Sequence, residues 1–215
     1  MDRIDKFVYI NLDKRPDRND HILNELRRFN IPEDKILRIS AVESEKGAYG
    51  CALSHQKVME AYRDSPDKLW CILEDDHYFT HSKEETNKLI ETFLNNENYD
   101  VLLGCYCAVK GRDLPDRVFR RTSQSCMASF YIPKKNVCEA LLASHKQSAR
   151  TLHPRFGKKA GIPCDIMWYH LMKIYVFVAP YKPYGSQLLN HSNIRNRVMD
   201  YSTYVGMKVD RELNK

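Results

Sequence analysis

The stretch Leu69-Trp70-Cys71-Ile72-Leu73 constrains the fold more than any other, because it runs without a spacer into three acids, Glu74-Asp75-Asp76. Five consecutive apolar residues of strand-forming types read as a strand buried on both faces, which implies a parallel sheet covered by helices. Three adjacent carboxylates repel one another and are costly beside such a strand unless positive charge neutralises them. A divalent cation does so most simply. In open α/β sheets ligands gather at the carboxyl ends of the strands, where these acids fall. The reading without a ligand makes them solvated loop acids, or caps for a helix starting near Lys83. His77 and His81 just downstream read as loop residues rather than ligands.

The order of elements supports an α/β sandwich. Phe7 to Leu12 is a short apolar strand, followed by a polar turn in which Pro16 opens a helix. Ile22, Leu23, Leu26 and Phe29 mark one face of that helix, and Asn30 with Pro32 ends it. Lys35 to Val42 is a second strand. Two glycines, Gly47 and Gly50, then introduce a helix carrying Leu53, Val58, Met59 and Tyr62. Free amides at such a start can bind phosphate, although a simple turn is the default reading of Gly-x-x-Gly.

A helix from Lys83 to Asn95 and a strand from Tyr99 to Gly104 follow the acids. Cys105 to Ser125 shows no clear period and holds Arg112, Arg117, Arg120 and Arg121, so it reads as a long loop, functional or mobile. Cys126 to Ile132 is expected as a strand, and a helix from Pro133 to about Lys146 follows it. His145 to Pro163 is irregular and basic. Cys164 to Leu171 is a short helix with Asp165 at or near its N-cap, and Ile174 to Ala179 is a last strand. Alternating β and α elements before a less regular half imply a mostly parallel central sheet flanked by helices.

The 215 residues fit one domain. Seven cysteines without a C-x-x-C pair speak for reduced, mostly buried thiols and against a zinc knuckle. No apolar run reaches the ~20 residues that span a bilayer. The charged start, Met1 to Lys6, leads straight into a strand, so the expected location is cytoplasmic. Of the net charge of +6, residues 108 to 160 carry 12 Lys or Arg against 3 Asp or Glu, hence +9 there and −3 elsewhere. That bias suits an anionic partner such as a nucleotide diphosphate or an acidic glycan, or a merely soluble basic face. No nucleic-acid motif accompanies it, so no nucleic-acid partner is expected.

Four stretches, in order, resemble glycosyltransferase family 25, which includes lipopolysaccharide galactosyltransferases and the collagen-modifying galactosyltransferases. They are Tyr9-Ile10-Asn11-Leu12-Asp13 with Arg15 to Arg18; Gly50-Cys51-Ala52-Leu53-Ser54-His55; Ile72-Leu73-Glu74-Asp75-Asp76; and Pro163-Cys164-Asp165. The resemblance implies a GT-A-type fold and inverting transfer of a hexose, galactose or glucose, from a UDP-sugar to a glycan or protein hydroxyl. Glu74, Asp75 and Asp76 would stand in for the D-x-D motif that holds Mn²⁺, with His191 as a further ligand. Asn11, Asp13, Arg15 and Arg18 would line the nucleotide site, Ser54 and His55 would lie near the donor, and Asp165 would be the catalytic base. The donor part would span about 1–105, the acceptor and catalytic part about 106–200, with a tail at 201–215.

The chain is somewhat short for the family and lacks the secretory signal of the animal enzymes, so a bacterial- or virus-like enzyme fits better. A catalytically inactive module that binds a sugar nucleotide or glycan is the alternative from another class. A nucleotidyltransferase is a weaker competitor, since no phosphate-gripping glycine loop follows Leu12. Trp168, Tyr181 and Tyr184 offer sugar-stacking faces, or simply packing.

Overall fold

The structure, a computed structural model, describes residues 1–157, 160–188, 190–192 and 197–199, without the side chains of 108, 109 and the last two stretches. Its framework is an eight-stranded sheet made of β1 (Lys6–Asn11), β2 (Ile36–Ser40), β3 (Trp70–Glu74), β5 (Val101–Leu103), β6 (Cys107–Asp113), β7 (Phe119–Cys126), β8 (Phe130–Pro133) and β9 (Phe177–Pro180). A short β4 (His77–Phe79) lies outside it. The order across the sheet is β2-β1-β3-β8-β5-β9-β7-β6. Only β8 and β7 oppose the common direction, so six of the eight strands point the same way, as an α/β chain of this pattern predicts.

Period-two alternation sends each central strand's side chains to two cores. Phe7, Tyr9, Cys71, Leu73, Leu102, Phe130 and Val178 meet α1 (Pro16–Arg28) and α3 (Lys83–Leu94) through Ile22, Leu26, Ile90 and Phe93. Val8, Ile10, Trp70, Ile72, Leu103, Tyr131 and Phe177 meet α2 (Gly47–Asp64) and α4 (Cys138–Leu152) through Val58, Met59, Tyr62, Leu141 and Leu142. Burying a large side chain of this kind is worth about 1.5–3 kcal/mol.

Local chemistry sets the helix ends. Pro16 opens α1, and Asn30, in the left-handed region at φ 50°, closes it while the amide of Ile31 bonds back to the Leu26 carbonyl at 3.0 Å. Ser82 and Glu85 form a reciprocal capping box on α3, so the three acids cap nothing there. A Cβ on Gly50 would stand 2.4 Å from the Val42 carbonyl oxygen, which is why glycine lets α2 approach the loop after β2.

Four sequence expectations need correction. Cys105 to Ser125 is not an irregular loop: most of it is the β6–β7 hairpin at the sheet edge. Register shifts between Cys107 and Val109 and between Lys110 and Gly111 break the two-residue period, and that hid the strands. The last strand begins at Phe177, while Ile174 is exposed. Helix α4 starts at Cys138 and continues to Leu152, so His145, expected at the start of an irregular stretch, lies buried within it. His77, expected in a loop, is fully buried in β4, which pairs with β10 (Gly185–Gln187).

Candidate active site

The acids stand where β3 ends: Glu74 is its last residue, and Asp75 and Asp76 turn the chain into β4. Asn11, at the end of neighbouring β1, donates its amide to Asp75 Oδ2 at 2.8 Å. The Asn11 side-chain oxygen Oδ1 in turn accepts from Arg38 Nη2 at 2.9 Å and Nε at 3.1 Å. Arg18, in the first turn of α1, places Nη1 3.0 Å from Asp75 Oδ1 and 3.1 Å from Asp76 Oδ2. Gln187, carried in by the β4–β10 pairing, donates to Glu74 Oε2 at 2.8 Å and to Asp76 Oδ1 at 3.0 Å.

Both aspartates are nearly buried. Burial raises the Asp75 carboxyl against the opposing pull of Arg18 and Asn11. Burial first, and Glu74 next, push Asp76 up to about 7 despite Arg18. One guanidinium nitrogen therefore serves two carboxylates, and one of these stays close to protonation. The all-oxygen donor set and this surplus of negative charge fit a hard divalent ion, the class to which Mn²⁺ belongs.

The remaining candidates divide by position. Arg15 is engaged by Asp17 at 2.7 Å, its field still reaching Asp75 and Asp76. Asp13 is exposed and bound by Arg38 at 2.5 Å and Ser40 at 2.9 Å, with Arg38 first and Ser40 next holding its carboxyl down. Ser54 donates to the Gly50 carbonyl at 2.7 Å and accepts the Val42 amide at 2.8 Å, so its hydroxyl ties α2 to the loop after β2. His55 is buried, its Nδ1 3.0 Å from the Tyr131 hydroxyl and its Nε2 3.3 Å from Glu74 Oε1. Burial alone would lower this imidazole, but Cys51 and Glu74 raise it to about 10.

Asp165 belongs to the first turn of the short helix α5 (Cys164–Met167), whose N-cap is Pro163. Its Oδ2 accepts the Met127 amide at 2.9 Å. Burial raises this carboxyl, the Met127 amide opposes, and Glu74 pushes it up again. Trp168 is wholly buried with its indole N–H on the Ser125 carbonyl at 2.9 Å, so it packs the core and offers no sugar face. Tyr184 stacks on His81 with ring centroids 4.0 Å apart, and Arg120 lies over Tyr181. The backbone of His191 belongs to a strand, Asn190–Ser192, but its side chain lies outside the described residues.

Gln187, Arg38 and Tyr131 had no signal in the sequence, since each reaches the acids or their neighbours only through strand pairing. Cys51 and Cys164 sit inside two of the matched motifs, and their Sγ atoms are 3.8 Å apart.

No family model matches the chain, and no curated protein matches it in sequence. Among solved structures it is similar to a glycosyltransferase involved in glycosylation of the major capsid of PBCV-1. That match has a TM-score of 0.54 at 10% identity over 89% of this chain and 95% of that one. It is also similar to A197 from STIV, with a TM-score of 0.51 at 14% identity over 91% and 94%. A UDP-glucose pyrophosphorylase complexed with UDP-glucose matches at 0.48 and 10% identity over 81% and 72%. At such identities the likeness speaks for the fold, which is GT-A-like with a large central sheet between helices.

Proposed function

We propose that the chain is a Mn²⁺-dependent, inverting glycosyltransferase of the family 25 type. It would move galactose or glucose from a UDP-sugar to a glycan or protein hydroxyl, in the cytoplasm. The observation that carries this reading is the convergence of Asn11, Arg18, Asp75 and Asp76 where β1 and β3 end, the place where α/β sheets bind ligands.

In this reading Asp75 and Asp76 would hold the cation, with Glu74 and His191 completing the set. A cation held there would neutralise the donor diphosphate and the charge that develops on the departing UDP. Arg15 and Arg18 draw in the anionic donor, and Asn11 fixes the orientation of Asp75. Asp13, Ser54 and His55 shape the donor side through Arg38, the loop after β2 and Glu74. Asp165 removes the acceptor hydroxyl's proton as that oxygen attacks the anomeric carbon opposite UDP. A carboxyl raised by burial is a better proton acceptor than a solvated one.

The test is a panel of nucleotide sugars with Mn²⁺, read as UDP release with and without glycan acceptors. Release from UDP-galactose or UDP-glucose, lost with EDTA and in Asp76→Asn, is the expected result. A second reading, a binding module without turnover, draws on Arg18, whose guanidinium already spans both aspartates. Saturable UDP binding unchanged by EDTA, with no release from any donor, would select it.

A further inference from the structure

Beside the acidic turn lies a second cluster, two of whose members, Cys51 and Cys164, the transfer reaction leaves unused. Cys51 and His55 are spaced i, i+4 on α2 and so share a helix face. Cys164 joins them from the start of α5, and the ligand atoms of the three all lie within 4.8 Å of one another. Glu74 borders this group of three, with Oε1 3.3 Å from His55 Nε2 and 3.9 Å from Cys51 Sγ.

We infer that these four residues form a metal centre of their own, a tetrahedral site for a zinc-class ion. The ligands are Cys51 Sγ, Cys164 Sγ, His55 Nε2 and Glu74 Oε1. With metal–sulfur bonds of about 2.3 Å and metal–nitrogen or metal–oxygen bonds of about 2.1 Å, a tetrahedron has edges of about 3.8 Å between sulfurs and about 3.4 Å between nitrogen and oxygen. The structure has 3.8 Å and 3.3 Å. The Cys51–Glu74 edge of 3.9 Å is slightly long against about 3.6 Å and Glu74 stands outside the group of three, so its Oε1 moves toward Cys164 when the ion binds.

The surroundings are those of a ligand set. Tyr131 engages Nδ1 of His55 at 3.0 Å, leaving Nε2 for the metal, and Gln187 steadies the other Glu74 oxygen at 2.8 Å. Binding releases both thiol protons and, since Cys51 and Glu74 hold the His55 imidazole protonated, its Nε2 proton as well, giving two thiolates, a neutral imidazole and a carboxylate. Two sulfurs make this a soft site, whereas Asp75 and Asp76 offer only hard oxygens, so the two positions select different ions. The centre ties α2, the end of β3 and α5 together, and thereby orients Glu74 and Cys164's neighbour Asp165. It does not depend on the transferase reading.

The test uses the full chain, reduced, stripped with chelator and titrated with Co²⁺ and then Zn²⁺. One equivalent of Co²⁺ should give thiolate-to-cobalt charge-transfer absorption with tetrahedral visible bands, displaced by one Zn²⁺ but not by equal Mn²⁺. Cys51→Ser and Cys164→Ser should weaken Zn²⁺ at least ~100-fold, while Cys138→Ser, a buried thiol elsewhere, should bind normally. Where a variant does not fold, the wild-type cobalt spectrum decides alone. Absence of that spectrum in reduced wild type, its persistence in both variants, or a Cys51–Cys164 disulfide in protein isolated with thiols blocked would overturn the assignment.

Discussion

The Asp165 carboxylate accepts the backbone amide of Met127 at 2.9 Å, and Met127 holds that amide in place with a φ of 83°. A non-glycine residue in the left-handed region is strained, so the contact is maintained against a conformational cost of order 1–3 kcal/mol. The contact joins the end of the edge hairpin to the helix that carries the proposed base.

Asp165→Asn retains an oxygen for the Met127 amide and lacks only the capacity to take a proton. The variant should melt within a few degrees of wild type, bind UDP with Mn²⁺ equally well and transfer sugar at least ~100-fold more slowly. Near wild-type turnover would confine Asp165 to a structural role.

Arg18 neutralises two nearly buried carboxylates at once. Arg18→Leu leaves them facing each other, and breaking a buried pair this way costs about 3–5 kcal/mol. The variant should melt about 6–20 °C below wild type in EDTA, at about 2–4 °C per kcal/mol for a chain of this size. Millimolar Mn²⁺ should recover most of the loss. Scanning calorimetry in the two buffers checks it, and a melt indifferent to Mn²⁺ would count against a cation at the acids.

Stability should also depend on pH through Asp76. Its folded carboxyl titrates at about 7 against 3.8 unfolded, so between these values the folded state holds a proton that the unfolded state has lost. Stability from this group is therefore full below about 3.8 and disappears as pH rises through 7. Asp75 and Asp165 are raised as well and act in the same direction. In EDTA the melting temperature should climb by several degrees from pH 8 to pH 5. Asp76→Asn should flatten that slope, and an equally steep slope in the variant would place the titration elsewhere.

Gly185 faces His77 across the β4–β10 pairing, and a Cβ there would meet the imidazole at 2.0 Å. Gly185→Ala should push β10 away, cost about 1–3 kcal/mol and draw Gln187 off Glu74 and Asp76. Denaturant unfolding together with Mn²⁺-dependent UDP titration measures both effects. A variant that loses stability but keeps its UDP affinity would show that Gln187 is dispensable.

The two-faced core and the place of the acids followed from local pattern alone. An apolar strand of five residues must be covered on both sides, and an acid run at its end must fall at the sheet's edge. Asn11 and Arg18, singled out through the resemblance to glycosyltransferase family 25, reach the acids because one ends β1 and the other lies in the first turn of α1. The β6–β7 hairpin was not legible, because two register shifts erased its alternation. Gln187, 113 residues from Glu74, became its neighbour only when β10 paired with β4. Likewise Cys51 and Cys164, 113 positions apart, face each other only because α2, α4 and α5 pack together through Ala52, Ala149 and Leu152. Sequence pattern encodes what neighbours along the chain must bury. Which distant side chains then share one cluster is decided by strand order and helix packing, through contacts that no local window contains.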